Sequence, residues 1–275
     1  MGERLGVIAG SGPFARLALA LARGQGYDLL VAGVRGEASA DLEGAAAVFE
    51  WVGLTELEKL VSFFKDGGVD EVVLVGKLDP AVIARRGGDD DAVLAALLAQ
   101  VREPTPAAVL ESLIGYLGTH GLAVKDPGFL LAPYFRSPGL LGRVEPAASV
   151  IADIAFGWPL ARTLADLEIG QTLVVKGRAV VAVEGLEGTD EAILRAGRVA
   201  GPGCVVVKRA RTRQDLRIDV PGVGIDTVRS CVSSRAAALA VEAGTVAFFQ
   251  LAEASALADA NGLALIATEG SDSHG

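Results

Sequence analysis

The sequence predicts an α/β protein: a Rossmann-like N-terminal domain over residues 1–135, followed by a mixed α/β domain over residues 136–275. Three observations predict it. Short apolar runs alternate with helix-length ones, and glycine turns stand where strands should hand over to helices. A stretch carrying Pro127, Pro133, Pro138 and Pro146 marks a linker or ordered crossover near the middle of the chain. With 275 residues, 51% of them hydrophobic, there is ample material for a core in each half.

Taken in order, Leu5–Ala9 reads as a buried strand, Gly10-Ser11-Gly12 as a tight turn, and Pro13–Arg23 as a helix with proline at its favourable first position. Free amides at such a helix head attract phosphate. Gly10, Gly12 and Ala15, with Glu37 downstream, also fit the loose dinucleotide fingerprint, so a nicotinamide-dependent oxidoreductase and a plain structural turn both stay open. Leu29–Val34 is a second strand, Leu54–Asp66 a helix with Thr55 near its cap, and Val69–Val75 a third strand ending in Gly76-Lys77. Lys77 can reach a phosphate from that strand end or simply be solvated.

Gly87–Asp91 opens a helix to Val101, its acids favoured by the helix dipole, and Glu103–Gly121 is helical again. Ala148–Asp166 is helical in tendency, with a break expected at Gly157-Trp158-Pro159. Thr172–Val175 and Ala179–Val183 across Lys176-Gly177 read as a hairpin, and Thr189 as the cap of a helix with Asp190 and Glu191 in its first turn. Leu239–Glu242, Val246–Gln250 and Leu263–Ala267 are strands, and Ala252–Asn261 is a helix.

Between them, Val205–Thr227 concentrates the chemistry. Val205–Lys208 is a short strand, and residues 215–220 alternate polar with apolar, which predicts a half-buried strand carrying Asp215, Arg217 and Asp219 on one face. Pro221-Gly222-Val223-Gly224 should then turn the chain and deliver Asp226 and Thr227 to the head of a helix. Carboxylates so gathered can hold a hard divalent cation, while Lys208, Arg209, Arg211 and Arg217 offer positive charge to an anion. An edge strand whose charges pair with one another would look the same.

Composition removes several classes. A net charge of −9 argues against nucleic acid as a partner. Two cysteines and two histidines leave little for zinc, haem or cysteine–histidine chemistry, so any catalysis should rest on carboxylates, Lys/Arg, backbone amides and Mg²⁺. Leu5–Ala22 is broken by Gly10, Gly12, Pro13 and Arg16, no signal peptide or membrane span is expected, and the cysteine usage suits a reducing compartment.

Leu167-Glu168-Ile169-Gly170-Gln171, Val181-Ala182-Val183-Glu184, Glu187-Gly188-Thr189-Asp190, and Lys208 followed by Gln214–Pro221 resemble, in that order, the bacterial UDP-2,3-diacylglucosamine pyrophosphatases of the LpxI type. The N-terminal glycine turn and Asp89-Asp90 extend the likeness over nearly the whole chain. The resemblance implies Mg²⁺-dependent hydrolysis of UDP-2,3-diacylglucosamine to UMP and 2,3-diacylglucosamine 1-phosphate, a step of lipid A synthesis, with substrate bound between two domains. It places the essential aspartate at Asp226. Arg211-Thr212 departs from the family's Lys-Pro, which bears on loop geometry.

With the residues' own chemistry, this yields a set of expectations. Gly10, Ser11, Gly12, Lys77, Gln171, Thr189, Asp190, Lys208, Gln214 and Arg217 should bind substrate and phosphate; Asp215, Asp219 and Asp226 should hold Mg²⁺. A cytoplasmic location, peripheral inner-membrane contact through the lipid substrate and a homodimer are expected. A non-catalytic nucleotide-binding module is the remaining alternative.

Overall fold

The computed structural model describes residues 2–53, 56–77, 99 and 106–269. The chain divides into two compact units, Met1–Leu131 with Asp215–Ile218, and Ala132–Gln214 with Asp219–Gly275.

The first unit runs β1 (Arg4–Ala9), α1 (Pro13–Gly24), β2 (Asp28–Val34), β3 (Val48–Val52), α2 (Leu57–Asp66), β4 (Glu71–Val75), α3 (Pro106–Thr119), β5 (Ala123–Val124) and α4 (Gly128–Leu131). Its strands form one parallel sheet in the order β3-β2-β1-β4-β5. Ala15, Ala18, Leu19 and Ala22 of α1 pack on Val7, Val31 and Val73 on one face. Leu60, Phe64 and Leu117 of α2 and α3 pack on Ile8, Leu30 and Val72 on the other. Burial on both faces explains why these strands read as continuous apolar runs. The chain moves one way from β1 to β2 and the other way from β4 to β5, so the winding reverses between β1 and β4, where Rossmann-type sheets open a crevice at the carboxyl ends. Strand β3 was not among the expected elements. Of the helix expected from Gly87 to Val101, only Ala99 lies within the described residues, and Leu54 and Thr55 lie outside them.

The second unit runs β6 (Gly139–Leu140), α5 (Ala148–Asp166), β7 (Thr172–Lys176), β8 (Ala179–Val183), α6 (Thr189–Ala200), β9 (Val205–Lys208), β10 (Gly222–Val223), α7 (Ile225–Ser233), β11 (Ala238–Glu242), β12 (Ala247–Phe248), α8 (Leu251–Ala260) and β13 (Ala264–Thr268). Six strands form a mixed sheet ordered β6-β13-β11-β9-β7-β8. β9, β11 and β13 are parallel, β7 opposes β9, and β8 opposes β7, so β8 runs with β9. Each of α6, α7 and α8 therefore joins two strands of one direction and must begin at the edge where those strands end. Ile193, Ala196, Val228, Cys231, Ala254 and Ala258 pack these helices on one face. Ile154, Trp158 and Ala161 of α5 cover the other.

Two expectations are corrected here. Helix α5 does not break at Gly157-Trp158-Pro159. Trp158 is fully buried, and a Cβ at Gly157 would stand 2.8 Å from Val175 Cγ2, so this turn lies hard against the sheet. That packing offsets the roughly 3 kcal/mol that an interior proline costs a helix. Nor is residues 215–220 a strand. It is an irregular turn closed by the Ile218 amide donating to the Asp215 carbonyl, 3.1 Å, and Asp215, Arg217 and Asp219 do not share a strand face. Asp215 instead takes Arg217 in a fork, Nε to Oδ1 at 2.9 Å and Nη2 to Oδ2 at 2.6 Å, which satisfies both side chains locally.

The β7–β8 hairpin forms as expected, with Gly177 and Arg178 at φ of 59° and 58°, the signature of a type I′ turn. Asp153, buried in α5, accepts both turn amides, Gly177 N at 2.9 Å and Arg178 N at 2.6 Å, and so holds a non-glycine residue in that region.

Candidate functional site

The second unit gathers polar groups along the edge where β8, β9, β11 and β13 end. Lys208, last residue of β9, pairs across to Thr172, first of β7, and the Glu184 amide donates to the Thr172 carbonyl at 2.9 Å. Thr172 and Lys208 thus stand abreast on neighbouring strands, and Glu184, the residue that follows β8, is held beside Thr172. Helix α6 begins beside them.

Lys208 is 6% exposed, yet its partners are hydroxyls: Nζ donates to Thr189 Oγ1 at 2.7 Å and to Thr172 Oγ1 at 3.4 Å. Thr189 Oγ1 donates onward to Glu184 Oε1 at 2.8 Å, and the Gln171 amide donates to Glu184 Oε2 at 3.2 Å. The cap expectation for Thr189 is corrected: Gly188, at φ 83°, is the cap residue, and Thr189 is the first helical residue, with its hydroxyl turned to the lysine and the carboxylate. Burial pushes the Glu184 carboxyl up, but the Lys208 ammonium, the Thr172 and Thr189 hydroxyls and the Gln171 amide together hold it below its ordinary range. The stability this carboxylate contributes is present above the usual glutamate pKa and lost as pH falls through the lowered one.

Gln171 carries the network further. Its Nε2 donates to Asp219 Oδ2 at 2.8 Å, and Gln214 Nε2 donates to the Asp219 carbonyl at 2.8 Å. These bonds close the excursion of residues 215–218 at its two ends. Thr212 is pinned by Asp166, N to Oδ1 at 2.6 Å and Oγ1 to Oδ2 at 2.7 Å. A proline there would lack that donor, so threonine fixes the loop by hydrogen bonds in place of a ring. Asp190 Oδ1 in the first turn of α6 is buried and has no hydrogen-bond partner among the described residues. Such an orphaned acceptor suits a ligand donor.

Asp226 occupies the first turn of α7 and so lies on the same edge. Its side chain is 77% exposed, and Oδ1 accepts from Arg229 Nη1 at 2.7 Å, an i,i+3 pair. No side chain caps α7, so the helix does not use this carboxylate as a cap. Among the described residues no three His, Cys, Asp or Glu side chains gather as a metal cage. Asp215 is engaged by Arg217, Asp226 by Arg229 and Asp219 by Gln171, and the expected set Asp215, Asp219 and Asp226 is not assembled into one pre-formed site.

Of the expected cations, only Lys208 faces this network. Arg209 is 1% exposed and structural: its Nη2 donates to Glu242 Oε1 at 2.7 Å, its Nη1 to the Trp158 carbonyl at 3.1 Å, and its Cζ stacks 4.5 Å from the Trp158 ring centre. Arg211 pairs with Glu168 at 3.3 Å, and Arg217 with Asp215. Both cysteines are buried with their thiols pushed up by desolvation, which suits packing and not nucleophilic use.

In the first unit the glycine turn and Lys77 do meet at the β1–β4 reversal. The Gly10 amide donates to the Val75 carbonyl, Ser11 and Lys77 exchange two backbone bonds, all at 2.8 Å, and Ser11 Oγ donates to the Lys77 carbonyl at 3.1 Å. A Cβ at Gly76 would stand 2.7 Å from the Ser11 carbonyl oxygen, so only glycine permits this approach. The amides of Gly10 and Ser11 are therefore spent on the strand. Gly12, φ 93°, heads α1 with open space where a Cβ would stand, and the Lys77 ammonium has no partner among the described residues.

Two surface hollows are lined by other residues, one in the second unit by Arg198, Ser233 and Arg235 at the far ends of α6 and α7, the other in the first unit by Arg35, Phe49 and Trp51. Their polar, open linings give no reason to prefer them to the Lys208 edge.

Family models described as the LpxI N-terminal domain and the LpxI C-terminal domain match residues 4–133 and 137–266. The chain is 26% identical over 277 residues to a Caulobacter vibrioides protein named UDP-2,3-diacylglucosamine pyrophosphatase LpxI, covering 97% of this chain and 98% of that one. Among solved structures, N5-carboxyaminoimidazole ribonucleotide synthetase from Thermotoga maritima aligns with 69% of this chain and 43% of its own, at 12% identity and a TM-score of 0.28.

Proposed function

The chain belongs to the LpxI family, and on that premise we propose that it hydrolyses the pyrophosphate of UDP-2,3-diacylglucosamine to UMP and 2,3-diacylglucosamine 1-phosphate, in lipid A synthesis. The observation that carries this reading is Lys208: a nearly buried ammonium with hydroxyl neighbours at the head of α6, where helix amides add positive potential. A phosphoryl group is the ligand such a place selects. Thr189 and Gln171 flank it, Gln214 fixes the loop, and the orphaned Asp190 oxygen can accept from a sugar hydroxyl. Residues 136–275 supply the catalytic part, and residues 1–135, through Gly12 and Lys77, the nucleotide part.

A diacylated substrate needs apolar surface near the phosphates, and exposed Leu167, Ile169 and Leu186 flank Gln171 and Glu184 in sequence. A Cβ at Gly170 would stand 2.2 Å from the Glu184 carbonyl oxygen, so the two segments run side by side. These side chains also suit peripheral contact with a lipid surface. Among the described residues no helix is long and apolar enough to cross a membrane, and a cytoplasmic location is part of the proposal.

Mg²⁺ is proposed as the metal, neutralising phosphoryl charge when bound. Because Mg²⁺ keeps several waters and takes one or two carboxylates together with substrate phosphates, Asp226 is its proposed protein donor, without a pre-formed cage. Attack on phosphorus then needs a positioned water, for which Asp226, the exposed carboxylate heading α7 on the same edge, is the proposed partner. The test is incubation with UDP-2,3-diacylglucosamine and identification of products. UMP and the sugar 1-phosphate are expected with Mg²⁺, none with excess EDTA, and recovery on adding Mg²⁺ back. Full turnover in EDTA would remove the metal from the proposal, and intact substrate under all conditions would remove the activity.

A further inference from the structure

Resting on the hydrolase reading above, we infer that Glu184 is a positioning residue for the reaction, ordering the Thr189 hydroxyl and the Lys208 ammonium through one chain of hydrogen bonds. A threonine hydroxyl has a single proton. Given to Glu184 Oε1 at 2.8 Å, it leaves the Thr189 oxygen able only to accept, and Lys208 Nζ donates to it at 2.7 Å. The second carboxylate oxygen takes the Gln171 amide at 3.2 Å, which stops the carboxylate from rotating away.

The lysine is thereby fixed in direction as well as place. Of its three protons one goes to Thr189 and one lies toward Thr172 at 3.4 Å, which leaves the third for a phosphoryl oxygen. Glu184 also places a negative charge close to this 6% exposed ammonium, one hydroxyl away through Thr189. Its second link, through Gln171 to Asp219, ties the same carboxylate to the loop that leads to α7 and Asp226. Glu184 itself need touch no substrate atom; it acts through Thr189, Lys208 and Gln171. Were it only a support for the turn between β8 and α6, its loss would lower stability and leave the behaviour of Thr189 untouched.

A double-mutant cycle on the full chain separates the two. Glu184→Gln keeps the shape and removes the charge, and Thr189→Val keeps the volume and removes the hydroxyl. UMP release is measured for the wild type, both single variants and the double variant, with thermal melting to confirm folding. Each single substitution is expected to lower kcat by about 100-fold, the scale of a lost alignment, with a smaller change in KM. The double variant should lose about 100-fold as well, against about 10,000-fold for independent effects. Thr189→Ser, which restores the hydroxyl, should recover most of the rate. If Glu184→Gln fails to fold, Glu184→Asp, which keeps the charge and withdraws it by one methylene, enters the same cycle with the same non-additivity expected. Independent losses, or wild-type kcat in the Glu184 variant, would overturn the inference while an active wild type left the hydrolase reading standing. A wild-type chain releasing no UMP would overturn both.

Discussion

An Asp226→Ala chain is expected to fold, to bind substrate and to turn it over about 1,000-fold more slowly, a barrier increase of roughly 4 kcal/mol. Two readings of this residue compete, and the structure separates what each must predict. As an aspartate in the first turn of α7 it interacts with the helix dipole and with Arg229 one turn on, at 77% exposure. The dipole contributes about 0.3–1 kcal/mol at such a site and the surface pair a few tenths, so a helix-stabilising role predicts a small drop in Tm and near-normal kcat. The larger cost of a lost cap does not apply, because no side chain caps this helix. What remains to explain an exposed carboxylate on the Lys208 edge is the ligand side of that edge. Asp226→Asn is the sharper control, since it keeps the size and one acceptor while removing the charge that would orient water or meet a metal. Near-normal kcat in both variants, with Tm lowered by a degree or two, would return Asp226 to the helix.

How much of this could be read without coordinates differs by element, for physical reasons. The parallel sheet of the first unit was legible because strands buried on both faces leave unbroken apolar runs, as in Leu29–Val34 and Val72–Val75. β3 was not: Val48-Phe49-Glu50-Trp51-Val52 neither alternates cleanly nor runs unbroken apolar, and Ala45-Ala46-Ala47 before it carries no turn signal. Residues 215–220 misled because period-two alternation is also produced by a turn whose charged members pair with one another, as Asp215 and Arg217 do. Pro159 misled because its helical cost is local and visible, whereas the compensating burial of Trp158 is tertiary. Lys208, Gln171 and Thr189 stood out one by one in the sequence, and the structure joins them in one hydrogen-bond network. Glu184 as their common partner was hidden, because its role follows from the β7–β8 pairing that sets it beside Thr172. Arg209 follows Lys208 in sequence, and successive side chains along a strand point to opposite faces, so Lys208 meets Thr189 while Arg209 turns to Trp158 and pairs with Glu242 of the neighbouring strand β11.

That buried cluster sets the largest stability effect expected in the chain: Glu242→Ala should destabilise the second unit by about 3–5 kcal/mol, the cost of stripping a partner from buried charge. Glu242 is 6% exposed and serves three donors. Its Oε1 takes Arg209 Nη2 at 2.7 Å and also Arg162 Nη2, while Oε2 takes the Ala210 amide at 3.1 Å. Remove it and two guanidinium groups, one fully enclosed against Trp158, repel each other without a counter-charge. The Ala210 amide also loses its acceptor, and the turn that follows Lys208 loses its anchor. In a domain of this size the drop in Tm should be roughly 10 °C. Arg162 retains one bond, Nη1 to the Ala210 carbonyl at 2.7 Å, and Arg209 retains its stacking on Trp158, so collapse to an unfolded chain is not expected. The penalty is one of imbalance and not of lost attraction, which gives a second, opposite result to look for. Replacing all three charges together, Arg162→Met, Arg209→Met and Glu242→Leu, should recover most of the stability that Glu242→Ala loses, since apolar side chains of similar volume carry no desolvation cost. If the triple variant melts lower still than Glu242→Ala, the cluster stabilises the fold by net attraction and the argument from imbalance fails.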